Sequence, residues 1–389
     1  MNDTELLRKF DAIRPFEPAE LPEVYDRLLA ADQFRQVMAY LFPDKTIDEL
    51  SAGMHSCKTA LDFQKAFSYG FLENLLAKAS RGCQSDFSAI DNRRNYTFVS
   101  NHRDIVLDSA FLSKLLIDNG FDTTCEIAIG DNLLSLPWVK DLARLNKAFI
   151  VERGLSLRQT LIASKRLSEY IHFVIGHKKD NVWIAQREGR AKNSDDRTQE
   201  SVLKMLSMGG DGNQVDNLSA LHIVPLSISY EYDPCDYLKA QEFQFKRDIE
   251  GWKKSAQDDV LSMYTGIMGY KGRIFYKAAP CIDAWLEENG RTMTKTEFYT
   301  AVASHIDENI FSNYMMYPGN YVALDILEGS SACAGHYTEA EKEIFCKYID
   351  GQLAKIQIPN PDMPFLRERM MEMYANPARN YLSTLKNAD

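Results

Sequence analysis

The sequence predicts an α/β fold: a mixed sheet with helices on both faces, preceded by a helical N-terminal domain and followed by a helical C-terminal region. Three observations carry this. Between about residues 95 and 280, short β-prone runs alternate with segments of helical period. The strand candidates, such as Val182-Trp183-Ile184-Ala185, are apolar throughout, as strands covered on both faces are. On either side of this region the helical period takes over. The expected domains are 1–88 (helical), 89–290 (α/β) and 291–389 (a helical extension packed on the α/β domain).

The elements follow in order. Leu6, Leu7, Phe10 and Ile13 share one helical face, as do Leu28, Leu29, Phe34, Val37, Met38 and Leu41. Another helix is expected to begin in 44–50, and 60–79 is a long apolar-periodic stretch. Ser80-Arg81-Gly82 supplies its stop, because glycine tolerates positive φ. Residues 1 to about 85 therefore read as helical. Strands are then expected at 96–100, 124–129, 148–151, 182–185, 221–230 and 273–277. Helices are expected at 109–117, 137–145, 156–170 and 199–206. Gly209-Gly210-Asp211-Gly212-Asn213 reads as a flexible connector. Helices over 294–309, 339–356 and 362–385 complete the chain.

Composition limits the functional classes. The 389 residues are 45% hydrophobic and 26% charged, with a net charge of −10, which argues against nucleic acid as a partner. No run of about 18 apolar residues exists, so no membrane-spanning helix is expected. Met1-Asn2-Asp3-Thr4-Glu5 does not begin a secretory signal, and the seven cysteines are scattered without a C-x-x-C pair. Reduced thiols and a cytoplasmic location are expected. Between Lys140 and Lys204 cations outnumber acids. That excess reads either as solvated helix faces or as a basic face for phosphate groups, anionic lipid or an acidic carrier protein.

The residues suited to chemistry sit where strands end. His102 directly follows the 96–100 run, and loops at carboxyl ends of strands are where α/β sheets place their sites. A neutral imidazole is a suitable general base near neutral pH, given a carboxylate to orient it. Asp104 and Asp108 are both near enough in sequence, although Asp108 is also placed to cap the following helix. Arg153 ends the 148–151 run, and a guanidinium donates two parallel hydrogen bonds to phosphate. Gln186-Arg187-Glu188-Gly189-Arg190-Ala191-Lys192 sets three cations and one acid around a glycine that allows close backbone approach. Pro225 interrupts the apolar run 222–230, where a proline marks an edge, a bulge or a strand start.

In this order, the four segments resemble the glycerolipid acyltransferase family, which includes glycerol-3-phosphate and lysophosphatidic acid acyltransferases. The family pattern is His-x4-Asp after a strand, then an apolar run ending in Arg, then a Phe-Pro-Glu-Gly-type motif with a following Arg, then an apolar strand with Pro. Here these look like His102 to Asp108, Phe149 to Arg153, Gln186 to Arg190, and Val224-Pro225. The resemblance covers roughly 95 to 280. Asp108 stands one position later than the pattern has its Asp, so either the loop carries an extra residue or Asp104 supplies the carboxylate. Asp108 is favoured, because Asp108-Ser109-Ala110-Phe111-Leu112 matches the family's continuation. The third motif has Gln186-Arg187 where Phe-Pro is usual.

The resemblance implies an O-acyltransferase of phospholipid synthesis. It would move a fatty acyl group from acyl-CoA or acyl carrier protein to a hydroxyl of glycerol-3-phosphate or lysophosphatidic acid. His102 would take the hydroxyl proton, with Asp108 orienting the ring. Arg153, Arg187, Arg190 and Lys192 would hold the phosphate, with Glu188 and Gly189 in the same binding loop. No metal and no cofactor is implied. The layout is similar to that of soluble plastid glycerol-3-phosphate acyltransferases. Peripheral contact with the inner face of the membrane is expected, with helices such as one containing Tyr314-Met315-Met316-Tyr317 contributing. Two other readings stand: a different acceptor (a lysophospholipid or an acylated amino acid), and a lipid-binding relative without turnover. An α/β hydrolase would need a Gly-x-Ser-x-Gly elbow, which is absent.

Overall fold

The structure, a computed structural model, describes residues 7–386. The readings of Met1–Glu5 and Leu6 lie outside the described residues. Seven strands form one mixed sheet: β1 Cys83–Asp86, β2 Thr97–Ser100, β3 Cys125–Gly130, β4 Ala148–Val151, β5 Asn181–Ala185, β6 Ile223–Tyr230 and β7 Ile274–Ala278. Their order is β1-β7-β6-β2-β5-β3-β4. Every neighbouring pair is parallel except β6 with β7.

The helices before the sheet are α1 Leu21–Ala30, α2 Asp32–Leu41, α3 Ile47–Ser56, α4 Ala60–Phe63 and α5 Tyr69–Ala79. Between strands lie α6 Leu107–Asp118, α7 Pro137–Leu145, α8 Leu157–Phe173, α9 Glu200–Leu206, α10 Gln214–Ser219, α11 Asp236–Asp248 and α12 Ala256–Met268. After β7 come α13 Asp283–Asn289, α14 Lys295–Ser312, α15 Pro318–Glu328, α16 Glu339–Leu353 and α17 Met363–Lys386.

Alternate residues of a strand face opposite sides of a sheet, and here both sides are covered. Phe98, Trp183 and Val224 pack against Phe111 and Leu112 of α6 and Leu72 and Leu75 of α5. Val99, Ile184 and Ile223 pack on the other side with Ile171 of α8, Leu203 of α9 and Val302 and Ile306 of α14. This double burial explains why these strands read as unbroken apolar runs. The N-terminal helices close over their own cluster with Leu145 of α7, and α15 to α17 form another with Ala240 of α11.

Four local expectations are corrected. The N-terminal region is not helical to its end: Cys83–Asp86 is an edge strand beside β7, and its short polar sequence, Cys-Gln-Ser-Asp, gives no β signal. Gly209–Asn213 is pinned: Gly209 N–H donates to Ser168 Oγ, Gly212 N–H donates to Asn217 Oδ1, and Asn213 caps α10. Tyr314–Tyr317 is a connector between α14 and α15, and both of its tyrosines are buried. Pro225 lies inside an interior strand. It stands where β7 stops at Ala278: it has no N–H to give back to the chain there, while its carbonyl accepts from Ala279 N–H at 2.9 Å.

Candidate active site

The site starts from the carboxyl end of β2. Asn101 locks the chain there by a two-way bridge to β6: its amide donates to Ile228 O and its Oδ1 accepts from Ile228 N–H, both at 2.8 Å. His102 follows, and its Nδ1 lies 2.8 Å from Asp108 Oδ2. Asp108, near the N-terminus of α6, is fully buried. The same oxygen accepts the backbone N–H groups of Arg103 (2.6 Å) and Asp104 (3.0 Å). The His102 ring meets Trp183 edge to face at 5.4 Å, and Trp183 is fixed by donating to Ser100 Oγ at 2.9 Å.

The choice between the two aspartates follows from backbone geometry. Asp104 Oδ1 accepts from Val106 N–H (2.9 Å) and Leu107 N–H (2.8 Å), so Asp104 is the group that caps α6. Burial, and then the neighbouring Asp108, push its pKa up. With Asp104 committed to this turn, Asp108 meets the imidazole.

The basic residues fall into two groups. Arg153 forms an ion pair with Glu188, joining the ends of β4 and β5. Gly189 has φ +69°, a left-handed conformation that suits glycine, and Glu188 N–H donates to Gln199 Oε1 at 2.8 Å. Beyond the glycine, Arg190 and Lys192 line a cleft with Lys239, Glu242 and Trp252. Lys192 Nζ lies 3.0 Å from Glu242, and burial, followed by Arg190, lowers its pKa to about 8. Arg190 Nη1 is buried without a hydrogen-bond partner among the described residues. Lys239 of the same cleft reaches the Arg103 carbonyl, so this cleft adjoins the histidine turn. The charges of Arg187 and His102 both act on the buried Asp196.

Sequence reading missed three members of this neighbourhood. Arg103 is buried with its Nη1 2.9 Å from Asp196 Oδ2. Lys239 of α11 forms an ion pair with Asp233 and donates to Arg103 O at 3.4 Å. Lys271, also fully buried, donates to the carbonyls of Ile267 (2.9 Å) and Gly269 (2.6 Å), and burial lowers its pKa to about 8. Arg103 was discoverable from its place beside His102. Lys239 and Lys271 carry no local signal, since only the packing of α11 and α12 brings them here.

The acyltransferase family model matches residues 84–229, from inside β1 almost to the end of β6. These residues are an acyltransferase-family domain. The acyltransferase domain makes the chain a transferase, and it contains His102, Asp108, Arg153, Arg187, Glu188, Gly189, Arg190 and Lys192. No curated protein sequence matches the chain. Among solved structures it is similar to the 1-acyl-sn-glycerophosphate (LPA) acyltransferase PlsC from Thermotoga maritima, at 12% identity and a TM-score of 0.34, over 78% of this chain and 92% of that one.

Proposed function

We propose that this acyltransferase esterifies a hydroxyl of a phosphorylated glycerol or lysolipid acceptor with an acyl group from a thioester donor, acyl-CoA or acyl carrier protein. The observation that carries the reading is the His102–Asp108 pair at 2.8 Å, with Asp108 buried and held by two backbone amides. Nδ1–H donates to Asp108, which leaves the Nε2 lone pair to take a proton. The imidazole, still 15% exposed at its side chain, removes the acceptor hydroxyl's proton as the oxygen attacks the thioester carbonyl. The carbon–sulfur bond breaks, and the imidazolium returns its proton to the departing thiolate. Asp108 stabilises the imidazolium throughout.

Arg190, with an unmatched buried donor, and Lys192 supply cations for the acceptor phosphate; Arg153 and Arg187 add charge at the same sheet edge. No residue of this scheme calls for a metal or cofactor. An acceptor other than lysophosphatidic acid is kept in view by Gln186, which is fully buried with neither amide atom hydrogen-bonded among the described residues and stands where the family carries Phe. The deciding experiment incubates the purified protein with labelled acyl-CoA or acyl carrier protein and a panel of acceptors. Ester formed on glycerol-3-phosphate or lysophosphatidic acid, and abolished in His102→Ala, is the expected result. Undiminished transfer by a folded His102→Ala protein refutes the mechanism.

A further inference from the structure

The first turns of α8 are built unlike any buried helix of the sheet. Leu157 is 93% exposed, Leu161 62% and Ile162 60%. Positions 157 and 161 stand one turn apart on a common face, and 162 flanks them. Exposed aliphatic residues scattered singly are ordinary, but three within two turns form a patch. The same stretch is basic: between Glu152 and Glu169 the chain carries Arg153, Arg158, Lys165 and Arg166 and no acid, and of these Arg153 pairs with Glu188 and Arg166 with Glu152. Arg158 makes no ion pair among the described residues, and Lys165 reaches Glu169 only at 3.9 Å.

This patch lies at the carboxyl end of β4, the end of the sheet that also presents His102. Arg153 packs beside Gly130 at the end of β3, where a Cβ would sit 3.4 Å from its Nε. The turn that follows, Asp131–Leu133, touches α12. There Val260, Tyr264 and Met268, spaced four apart, are 51%, 64% and 42% exposed. Gly266 of the same helix lies against the Asp104 carboxylate. Exposed apolar side chains thus run along the rim on both sides of Arg153, and one of their helices touches the histidine turn.

We infer that the exposed start of α8, continued by the Val260-Tyr264-Met268 stripe of α12, docks the enzyme on an anionic phospholipid bilayer, with the leucines in the acyl boundary and the cations among the headgroups. The combination decides the occupant. A basic amphipathic helix with exposed leucine is matched to a bilayer interface. The protein is otherwise acidic, at net −10, so a local basic stretch is what allows approach to anionic lipid. An acidic carrier protein would be met by the cations and would not need leucines projecting beyond them. The inference rests on the proposed lipid function for its purpose but not for its test. Among the described residues no helix is long and apolar enough to cross a membrane, and the docking inferred here is interfacial.

The test is co-sedimentation of the full chain with vesicles of phosphatidylcholine alone and of phosphatidylcholine mixed with phosphatidylglycerol. Binding is expected on the mixed vesicles, weaker on neutral ones and weakened by salt. Leu157→Asp and Leu161→Asp are each expected to reduce it about tenfold, and Arg158→Glu with Lys165→Glu to remove the preference for anionic lipid. These positions are solvent-exposed and outside the catalytic scheme, so acyl transfer to a water-soluble acceptor should be unchanged. His102→Ala should bind vesicles normally, which separates failure of docking from failure of the proposed reaction. The inference is overturned if the wild-type protein ignores mixed vesicles or if Leu157→Asp binds them as wild type does. It is equally overturned if Leu157→Asp instead dissociates a dimer, or if the charge reversals abolish carrier-protein binding while vesicle binding persists.

Discussion

The sheet carries two histidine–aspartate pairs, one at each end, and they are not equivalent. His102 Nδ1 lies 2.8 Å from Asp108, and His222 Nδ1 lies 2.6 Å from Asp283. By distance alone the second is the better pair. His102 leaves the carboxyl end of β2, whereas His222 precedes β6 at its amino end, in the left-handed conformation at φ +47°. Asp108 is sealed, with its Oδ2 held by two backbone amides; the Asp283 side chain is 28% exposed. Arg94 stands over the second pair, with Nη2 3.3 Å from His222 Nδ1 and 3.9 Å from Asp283. Cys281 lies close enough to His222 and Asp283 for the three to share a ligand, but the Arg94 guanidinium already supplies the cation there. A short His–Asp contact is therefore no mark of a site. What distinguishes His102 is a preorganised, buried carboxylate and a position at the strand ends where the basic loop converges.

The sharpest way to break this comparison is to remove each histidine in turn. His102→Ala should lower kcat by about 10³-fold or more, the range of a lost general base, whereas His222→Ala should leave it within a few-fold; comparable losses in steady-state assays would erase the distinction. Asp108→Asn should cost about 10²–10³-fold in kcat with the protein still folded. Asp283→Asn, by contrast, should change only thermal stability, by about 1 kcal/mol, as read by calorimetry.

The basic cleft belongs to the His102 end alone. Arg190→Ala should raise KM for the phosphorylated acceptor about 10–100-fold, the worth of a charge-assisted hydrogen bond, with a smaller change in kcat. An unchanged KM would detach the cleft from substrate binding. The smallest effect concerns the loop that follows. Asp307 of α14 accepts from Thr198 N–H (2.8 Å) and Oγ (2.6 Å), and burial raises its pKa to about 6. The folded state then holds a proton that the unfolded chain releases near pH 4, so stability falls as pH rises from about 4 to about 6. Asp307→Asn keeps the acceptor oxygen and should flatten that part of the stability–pH curve by on the order of 1 kcal/mol; an unaltered curve would place the titration elsewhere.

Much of this was legible from local pattern. β2, β4, β5 and β6 announced themselves because strands buried on both faces must be apolar at every position. The long terminal helices were equally plain. β1 was not, because an edge strand of Cys-Gln-Ser-Asp draws its order from β7, almost two hundred residues away. α11 was missed because it buries Asp236, Lys239, Glu242 and Gln244, which give no apolar period. Their partners come from other elements: Tyr374, Tyr348 and Gln352 hold Asp236, and Lys192 holds Glu242.

The sequence by itself determined the alternation of elements, the strand-end placing of His102 and Arg153, and the glycine at 189, because each depends on neighbours within a few residues. Local chemistry left Asp104 and Asp108 both open, since both lie within reach of the histidine along the chain, and only the resemblance favoured Asp108. Tertiary structure made that choice. With Asn101 tied to β6 and Trp183 wedged on the imidazole, the turn has one way to fold: Asp104 spends its carboxylate on the amides that open α6, and Asp108 turns back to His102. The same holds for Lys239, Lys271 and the exposed start of α8, whose surroundings are set by chain segments far away in sequence.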